Sequence, residues 1–179
     1  MASFDQHLIV QVIRDLTNGY WSDDNGENWY PSELAPGFSS IDFHHSGDLL
    51  GVFPGYSNSS GLWKSDDYGN SWTVEIYQDN LTCVCYDVFS EVLVGFDGEG
   101  IAMYTSGSGF EMINGNLSNL HINNIQVNPA MSAPAIFVST DEGAYFSYDY
   151  YVNVEESPEK PSPLSISPNP AQSMVDIIS

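Results

Sequence analysis

The sequence predicts an all-β protein, a β-propeller fragment of about four blades that are each a four-stranded antiparallel sheet. Three observations lead to this fold class. An eight-residue pattern returns along the chain every 40 to 43 residues, a period typical of repeat architectures. A short aromatic or apolar run precedes each copy, and an earlier run in each unit is typical of a β-strand. Four short strands in about 42 residues make one propeller blade.

The repeated pattern, called a box here, is Ser-x-Asp-x-Gly-x-x-Trp at residues 22–29 and 65–72, with weaker copies at 105–112 and 147–154. An Asp side chain accepts hydrogen bonds from amides of its own turn, Gly permits a positive φ, and Trp packs against the turn. We therefore predict that the box residues have a structural role. They are Ser22, Asp24, Gly26 and Trp29 in the first box, and Ser65, Asp67, Gly69 and Trp72 in the second.

The second unit shows the strand count most clearly. Its runs SSIDFHH, DLLGVF, GLWKSD and SWTVEIY are separated by turn residues and by the box. In the first unit only MASFDQ stands ahead of the run HLIVQVI. We therefore expect the first blade to lack its opening strand, so that residues 1–156 hold fifteen strands in four blades.

The four boxes resemble the Asp-box, or BNR, repeat of sialidases and sortilin-type receptors. The resemblance covers residues 1–156 and implies a β-propeller. In that family the box lies in the hairpin between the third and fourth strands of a blade, away from the central funnel where ligands sit. The resemblance therefore implies a fold rather than an activity.

The composition changes after the fourth box. Residues 157–163 are rich in proline and are predicted to be a linker. Residues 164–179 resemble the start of the C-terminal sorting domain of type IX secretion, cut short, through the motif Pro168, Asn169, Pro170 and Ala171. The resemblance implies export by the type IX machinery to the medium or the cell surface, although the chain shows no export signal. We expect this tail to be separate from the propeller and to be cleaved first between residues 157 and 165.

The charge excludes several classes of partner. Twenty-four Asp and Glu against three Lys and Arg give a formal charge of -21. Nucleic-acid binding needs basic residues that neutralise phosphates, so no nucleic-acid partner is expected. No apolar run approaches the roughly 20 residues that cross a bilayer, so no membrane insertion is expected either.

No catalytic residue is assigned. Sialidases of this fold hold the substrate carboxylate with three arginines, whereas this chain has only Arg14. A propeller glycoside hydrolase uses two carboxyl groups across a cleft, and Asp87, Asp97 and Glu99 near the turns of the third unit are candidates for such a pair. The chain is thus expected to be non-enzymatic, the alternative being a fragment of a glycoside hydrolase whose catalytic residues lie outside it.

No metal site or cofactor is expected. His44 and His45 are adjacent and would point to opposite faces of a strand, while His121 is alone. Cys83 and Cys85 lack further soft ligands at zinc-site spacing and are predicted to be buried. Calcium at the boxes is the alternative, but the longer ligand series of a hand-type loop is absent.

The densest aromatic cluster supplies the candidate binding residues, Tyr145, Tyr148, Tyr150 and Tyr151. Exposed aromatic rings stack on sugars and apolar partners, although aromatic residues also favour strands in general. With the secretion that the type IX resemblance implies, we expect a secreted or cell-surface propeller that binds or scaffolds a glycan or protein ligand.

Overall fold

The computed structural model of the chain describes residues 2–5, 7–11, 19–32, 37–54, 58–128, 135–147 and 167–168. These ranges contain sixteen β-strands, which form four antiparallel sheets of four strands each. The all-β fold class is thereby confirmed. A search of the same ranges finds no helix with the length and apolarity that a membrane crossing requires.

Each sheet consists of four strands in chain order, and we call each sheet a blade. Blade 1 contains β1 (Ala2–Phe4), β2 (His7–Gln11), β3 (Gly19–Ser22) and β4 (Tyr30–Ser32). Blade 2 contains β5 (Ser40–Phe43), β6 (Leu49–Phe53), β7 (Gly61–Ser65) and β8 (Thr73–Tyr77). Blade 3 contains β9 (Leu81–Tyr86), β10 (Val92–Phe96), β11 (Gly100–Thr105) and β12 (Gly109–Met112). Blade 4 contains β13 (Ile122–Asn128), β14 (Ala135–Thr140), β15 (Gly143–Ser147) and β16 (Ser167–Pro168).

The blades follow one another around a common side. Their first strands are neighbours, β1 beside β5, β5 beside β9, and β9 beside β13. Apolar side chains fill the space between successive blades, with Leu50 and Val94 in the cluster between blades 2 and 3 and Leu93 and Ile136 in the cluster between blades 3 and 4. Face-to-face packing of four-stranded sheets around their inner strands is the arrangement of a β-propeller.

The expectation that the first blade lacks its opening strand is wrong. Ala2–Phe4 forms β1 and pairs antiparallel with β2, with Phe4 opposite His7. Asp5 follows in a left-handed conformation, with φ 51°, which suits a tight turn. Backbone hydrogen bonds can hold so short a strand, and it therefore needs no long apolar run that a sequence pattern would reveal.

Blade 4 takes its outer strand from Ser167–Pro168, within the segment that the sequence analysis assigned to a separate tail. Tyr145 pairs with Pro168, just as Tyr20 pairs with Pro31 in blade 1. Proline has no amide hydrogen and therefore suits the outer edge of a sheet, where no further strand needs its N–H. An edge position requires only a short extended segment, so a piece of chain distant from β15 can fill it.

Candidate functional site

The inner strands β5, β9 and β13 line a groove of about 500 Å³. Its walls are largely polar. The lining includes two residues from each strand, which are Ser40 and Asp42 on β5, Cys85 and Tyr86 on β9, and Asn124 and Gln126 on β13. The groove thus lies where three blades meet.

The polar side chains of β5 join blade 2 to blade 3. The Ser40 hydroxyl accepts a hydrogen bond from the Val84 amide at 3.2 Å and donates to the Val84 carbonyl at 3.3 Å. The Asp42 carboxylate accepts one from the Tyr86 amide at 2.8 Å. Because β9 is the inner edge of its sheet, these side chains satisfy backbone groups that have no neighbouring strand.

Asp42 is the single carboxyl group among the described residues that line the groove. Desolvation raises its pKa above the usual Asp value, although hydrogen bonds from the amides of Tyr86 and Phe43 act in the opposite direction. Desolvation, followed by the charge of Asp42, raises the pKa of the Cys85 thiol to about 12. Cys85 is therefore a neutral thiol rather than a nucleophilic thiolate at neutral pH.

The β13 wall carries two exposed carboxamides. Asn124 and Gln126 alternate with the buried Ile125, as side chains do along a strand. A carboxamide both donates and accepts hydrogen bonds. This wall of the groove can therefore bond a ligand that itself carries both kinds of group.

The three acids proposed as candidates for a catalytic pair lie at opposite ends of blade 3. Asp87 is buried, and its carboxylate accepts the amides of Phe89 and Glu91 at 2.8 Å, which fixes the turn after β9. Asp97 and Glu99 lie in the turn after β10, at the other end of the blade. Asp87 therefore cannot form a catalytic pair with either of them.

His121 is not alone, which corrects the sequence analysis. Its Nδ1 lies 2.5 Å from the Asp97 carboxylate, and both side chains are more than half exposed. The hydrogen bond to Asp97 raises the pKa of His121 above its usual value. The two residues are 24 positions apart, so no local pattern indicates the pair.

The expectation that His44 and His45 point to opposite faces is also wrong. Strand β5 ends at Phe43, so both histidines lie beyond the strand and the alternation rule does not apply to them. Their ring centroids are 4.0 Å apart. Within the described ranges, no group of three or more His, Cys, Asp or Glu is placed to hold a metal ion.

The first two boxes share the hydrogen bonds that link their Ser, Asp and Gly residues. In the second, the Ser65 hydroxyl donates to Asp67 and accepts the Gly69 amide, both at 2.8 Å, and Asp67 also accepts the Ser71 amide at 2.8 Å. The first box repeats this pattern around Ser22, Asp24 and Gly26, and both glycines have positive φ. Hydrogen bonds from Asn28 lower the pKa of Asp24. In both boxes the carboxylate is bonded to its own turn, while its structural role stays a prediction.

The third box has a different geometry. The chain reverses in a short turn, in which the Ser108 amide donates to the Thr105 carbonyl at 3.0 Å. Gly107 stands where the first two boxes have Asp24 and Asp67. The third box therefore has no carboxylate to accept the hydrogen bonds that close the longer turn of the first two. Met112 lies in β12 opposite Ala102 and is 43% exposed.

Of the other predicted residues, Tyr145, Cys83 and Cys85 lie within the described part of the chain. Tyr145 packs against the core between blades 3 and 4, and its hydroxyl lies 2.9 Å from that of Ser118. Cys83 and Cys85 are buried and free. The remaining ones lie outside the described residues, namely Tyr148, Tyr150 and Tyr151, the end of the fourth box, and Asn169, Pro170 and Ala171.

The groove residues Asp42, Asn124 and Gln126 belong to none of the motifs that the sequence shows. One local signal was present, because the run INNIQVN alternates polar and apolar residues in its second half. The position of this run beside β5 and β9 depends on the packing of three blades, which no local pattern specifies.

Two comparisons with solved structures concern the fold. A GH74 enzyme from Niastella koreensis matches with a TM-score of 0.51 and 18% identity over 75% of this chain and 21% of that chain. The chain is a β-propeller. The propeller also resembles YCF48 bound to a D1 peptide, with a TM-score of 0.47 and 16% identity over 73% of this chain and 44% of that chain. This chain thus spans less than half the length of either, and the likeness to the GH74 enzyme shows the fold alone. No family model and no curated protein sequence matches this propeller.

Proposed function

We propose that this propeller is a non-enzymatic binding module whose ligand occupies the groove on β5, β9 and β13. The observation that carries the proposal is the groove itself, about 500 Å³ in volume and lined by hydrogen-bonding side chains. This volume is within the range typical of ligand sites. Glycoside hydrolysis needs two carboxyl groups, so the alternative of a hydrolase fragment requires a second acid from outside the described groove residues.

The chemistry of the walls indicates the kind of ligand. Asn124 and Gln126 both donate and accept hydrogen bonds. The formal charge of -21 opposes the approach of an anion. A neutral ligand rich in donors and acceptors fits these conditions, and both the hydroxyls of a glycan and the main chain of a protein segment meet them.

The cellular setting is proposed from sequence resemblance. The boxes at 22–29 and 65–72 support membership of the Asp-box (BNR) repeat family, and Pro168, Asn169, Pro170 and Ala171 support export through type IX secretion. The protein would then act in the medium or on the cell surface. In a host with type IX secretion, a fusion of residues 1–179 with an export signal and a complete sorting domain should reach the surface or medium, and retention of this fusion inside the cell would contradict the proposal.

A ligand screen followed by substitution tests the binding proposal. The protein is first screened on a glycan array and on a peptide array, and the affinity for the best ligand is measured by calorimetry. Changing both Asn124 and Gln126 to Ala should weaken binding about tenfold or more, because two hydrogen bonds are lost. Asn123→Ala is the matched control, since Asn123 lies on the same strand but bonds Asp141 instead of lining the groove. Equal affinity of the double variant and the control would refute the groove as the site.

A further inference from the structure

A second cavity, of about 260 Å³, lies between blades 2 and 3. Its walls come from the facing sides of these two sheets, with Leu50, Lys64 and Glu75 in blade 2 and Tyr86, Val92 and Tyr104 in blade 3. Tyr86 also borders the groove on β5, β9 and β13, whereas the other five residues do not. The cavity is therefore a site distinct from that groove.

Glu75 supplies the cavity with a carboxylate that blade 3 holds in place. Its Oε1 atom accepts hydrogen bonds from the Tyr104 hydroxyl at 3.0 Å and from the Ser106 hydroxyl at 2.7 Å. Both donors are neutral, so these bonds leave the negative charge of Glu75 without a positive partner. The Oε2 atom takes no part in them and can accept a hydrogen bond from a ligand.

Lys64 supplies a positive charge to the same cavity. It is the one Lys or Arg among the described residues, since Arg14 and Lys160 lie outside them. Its ammonium lies 3.6 Å from the Asp48 carboxylate, and the two side chains are 41% and 38% exposed. An exposed ion pair of this kind is weak, so the Lys64 ammonium can also bind a carboxylate inside the cavity.

Apolar and aromatic side chains complete the walls. Leu50 and Tyr104 are buried and belong to the core cluster between blades 2 and 3, and Tyr86 and Val92 pack against this cluster. Ligand pockets combine such a surface with a small number of polar groups that fix the orientation of the ligand. The cavity can therefore hold a small hydrocarbon group beside two opposite charges.

The two charges indicate the kind of ligand. Lys64 pairs with Asp48 rather than with Glu75, although Lys64 and Glu75 line one cavity. An anion without a positive group would meet the repulsion of a chain whose formal charge is -21. A cation without a negative group would be repelled by Lys64 at close range. A molecule that carries both charges meets neither obstacle.

We propose that this cavity binds a free α-amino acid with an aliphatic side chain, whose ammonium bonds Glu75 and whose carboxylate bonds Lys64. The aliphatic side chain packs on Leu50 and Val92. Hydrogen bonds between charged groups are the strong ones, and each end of the ligand forms one with the residue of opposite charge. The site is thus specific for a zwitterion and uses residues of blades 2 and 3 alone.

Calorimetry of the full chain with L-leucine as the probe tests the proposal, and backbone NMR shifts locate the site. We expect binding, with the largest shifts at Glu75, Val92 and Ser106. L-leucine methyl ester keeps the ammonium but lacks the carboxylate, whereas N-acetyl-L-leucine keeps the carboxylate but lacks the ammonium. Each analogue should bind at least about tenfold more weakly than leucine, because one charged contact is lost.

Two substitutions remove one charge each. Glu75→Gln and Lys64→Met should each weaken leucine binding at least about tenfold, and the Gln oxygen can still accept the bonds from Tyr104 and Ser106. Lys64→Met should not weaken binding of the methyl ester, which has no carboxylate for Lys64 to hold. Glu111→Gln is the matched control and should leave the affinity unchanged, because Glu111 is exposed on β12 and does not line the cavity. Circular dichroism checks that each variant keeps its fold.

Four results would each overturn the proposal. They are no binding of L-leucine at about 10 mM, equal affinities for leucine and its methyl ester, equal losses of affinity in Glu111→Gln and Glu75→Gln, and NMR shifts confined to β5 and β13. The last result would place the amino acid in the groove instead of the cavity between blades 2 and 3.

Discussion

Replacing Asp67 by Ala should destabilise the propeller, because the second box closes around this carboxylate. The substitution removes three hydrogen bonds, which come from the Ser65 hydroxyl at 2.8 Å, the Ser71 amide at 2.8 Å and the Ser71 hydroxyl at 2.6 Å. One such bond contributes about 0.5–1.5 kcal/mol net, and water replaces part of this at an exposed turn, so the loss should be roughly 2 kcal/mol. For a chain of this size that lowers Tm by about 4–8 °C.

The box itself supplies the control. Asp66 is the adjacent acid and is exposed, so Asp66→Ala should change the free energy of unfolding by no more than about 0.5 kcal/mol. Both variants are compared by thermal and urea unfolding at neutral pH. Equal Tm values for the two variants would refute a structural role for Asp67. If added calcium raised the Tm of the wild type but not that of Asp67→Ala, the box would be a calcium site instead.

The Tm difference between wild type and Asp67→Ala should depend on pH, because the pKa of Asp67 is shifted in the folded protein. Desolvation is the largest influence and raises the pKa, but hydrogen bonds from Ser71 and Ser65 together outweigh it, so the pKa lies below the usual Asp value. A carboxyl group with a depressed folded pKa stabilises the fold above its unfolded pKa and loses this contribution as the pH falls through the folded value. The Tm difference between wild type and Asp67→Ala should therefore narrow below a pH of about 4.

The remaining predictions concern three other places. Trp72→Ala should lower the free energy of unfolding by about 3–5 kcal/mol, whereas Trp29→Ala should lower it by less because this ring is 40% exposed; urea unfolding measures both. In an NMR titration the pKa of His121 should lie above its usual value, and it should fall in the Asp97→Asn variant. Because a raised His pKa stabilises the fold only at low pH, the contribution of this pair to the free energy of unfolding should vanish as the pH rises through the folded pKa. Deleting residues 164–179 removes β16 and should lower Tm by about 2–6 °C, whereas an unchanged Tm would support the separate tail that the sequence predicts.

The sequence predicted the fold well because the boxes are local and repeat. Asp67 and Gly69 form hydrogen bonds within the turn in which they lie. The spacing of the box residues in the sequence is therefore enough to predict the turn. Strand β1 was missed because backbone pairing alone can hold three residues, and such pairing leaves little trace in composition.

The candidate site was not predictable for a different reason. Asp42 and Gln126 are 84 positions apart, and they line one groove only because three inner strands pack side by side. Asp97 and His121 are also distant in the chain, at 24 positions apart, and only the folded structure brings them into hydrogen-bond contact. Polar residues on strands are common, and only the assembled blades distinguish those that meet.

The bonds from Ser40 and Asp42 to the backbone of β9 also bear on aggregation. An unpaired strand edge is a template on which another polypeptide can add a strand. Side chains from the neighbouring blade occupy the outward amides of Val84 and Tyr86, and Pro31 removes one amide from the outer edge of blade 1. The inner edge of blade 3 and the outer edge of blade 1 are therefore poor templates for an added strand, which limits amyloid-like stacking at these two edges.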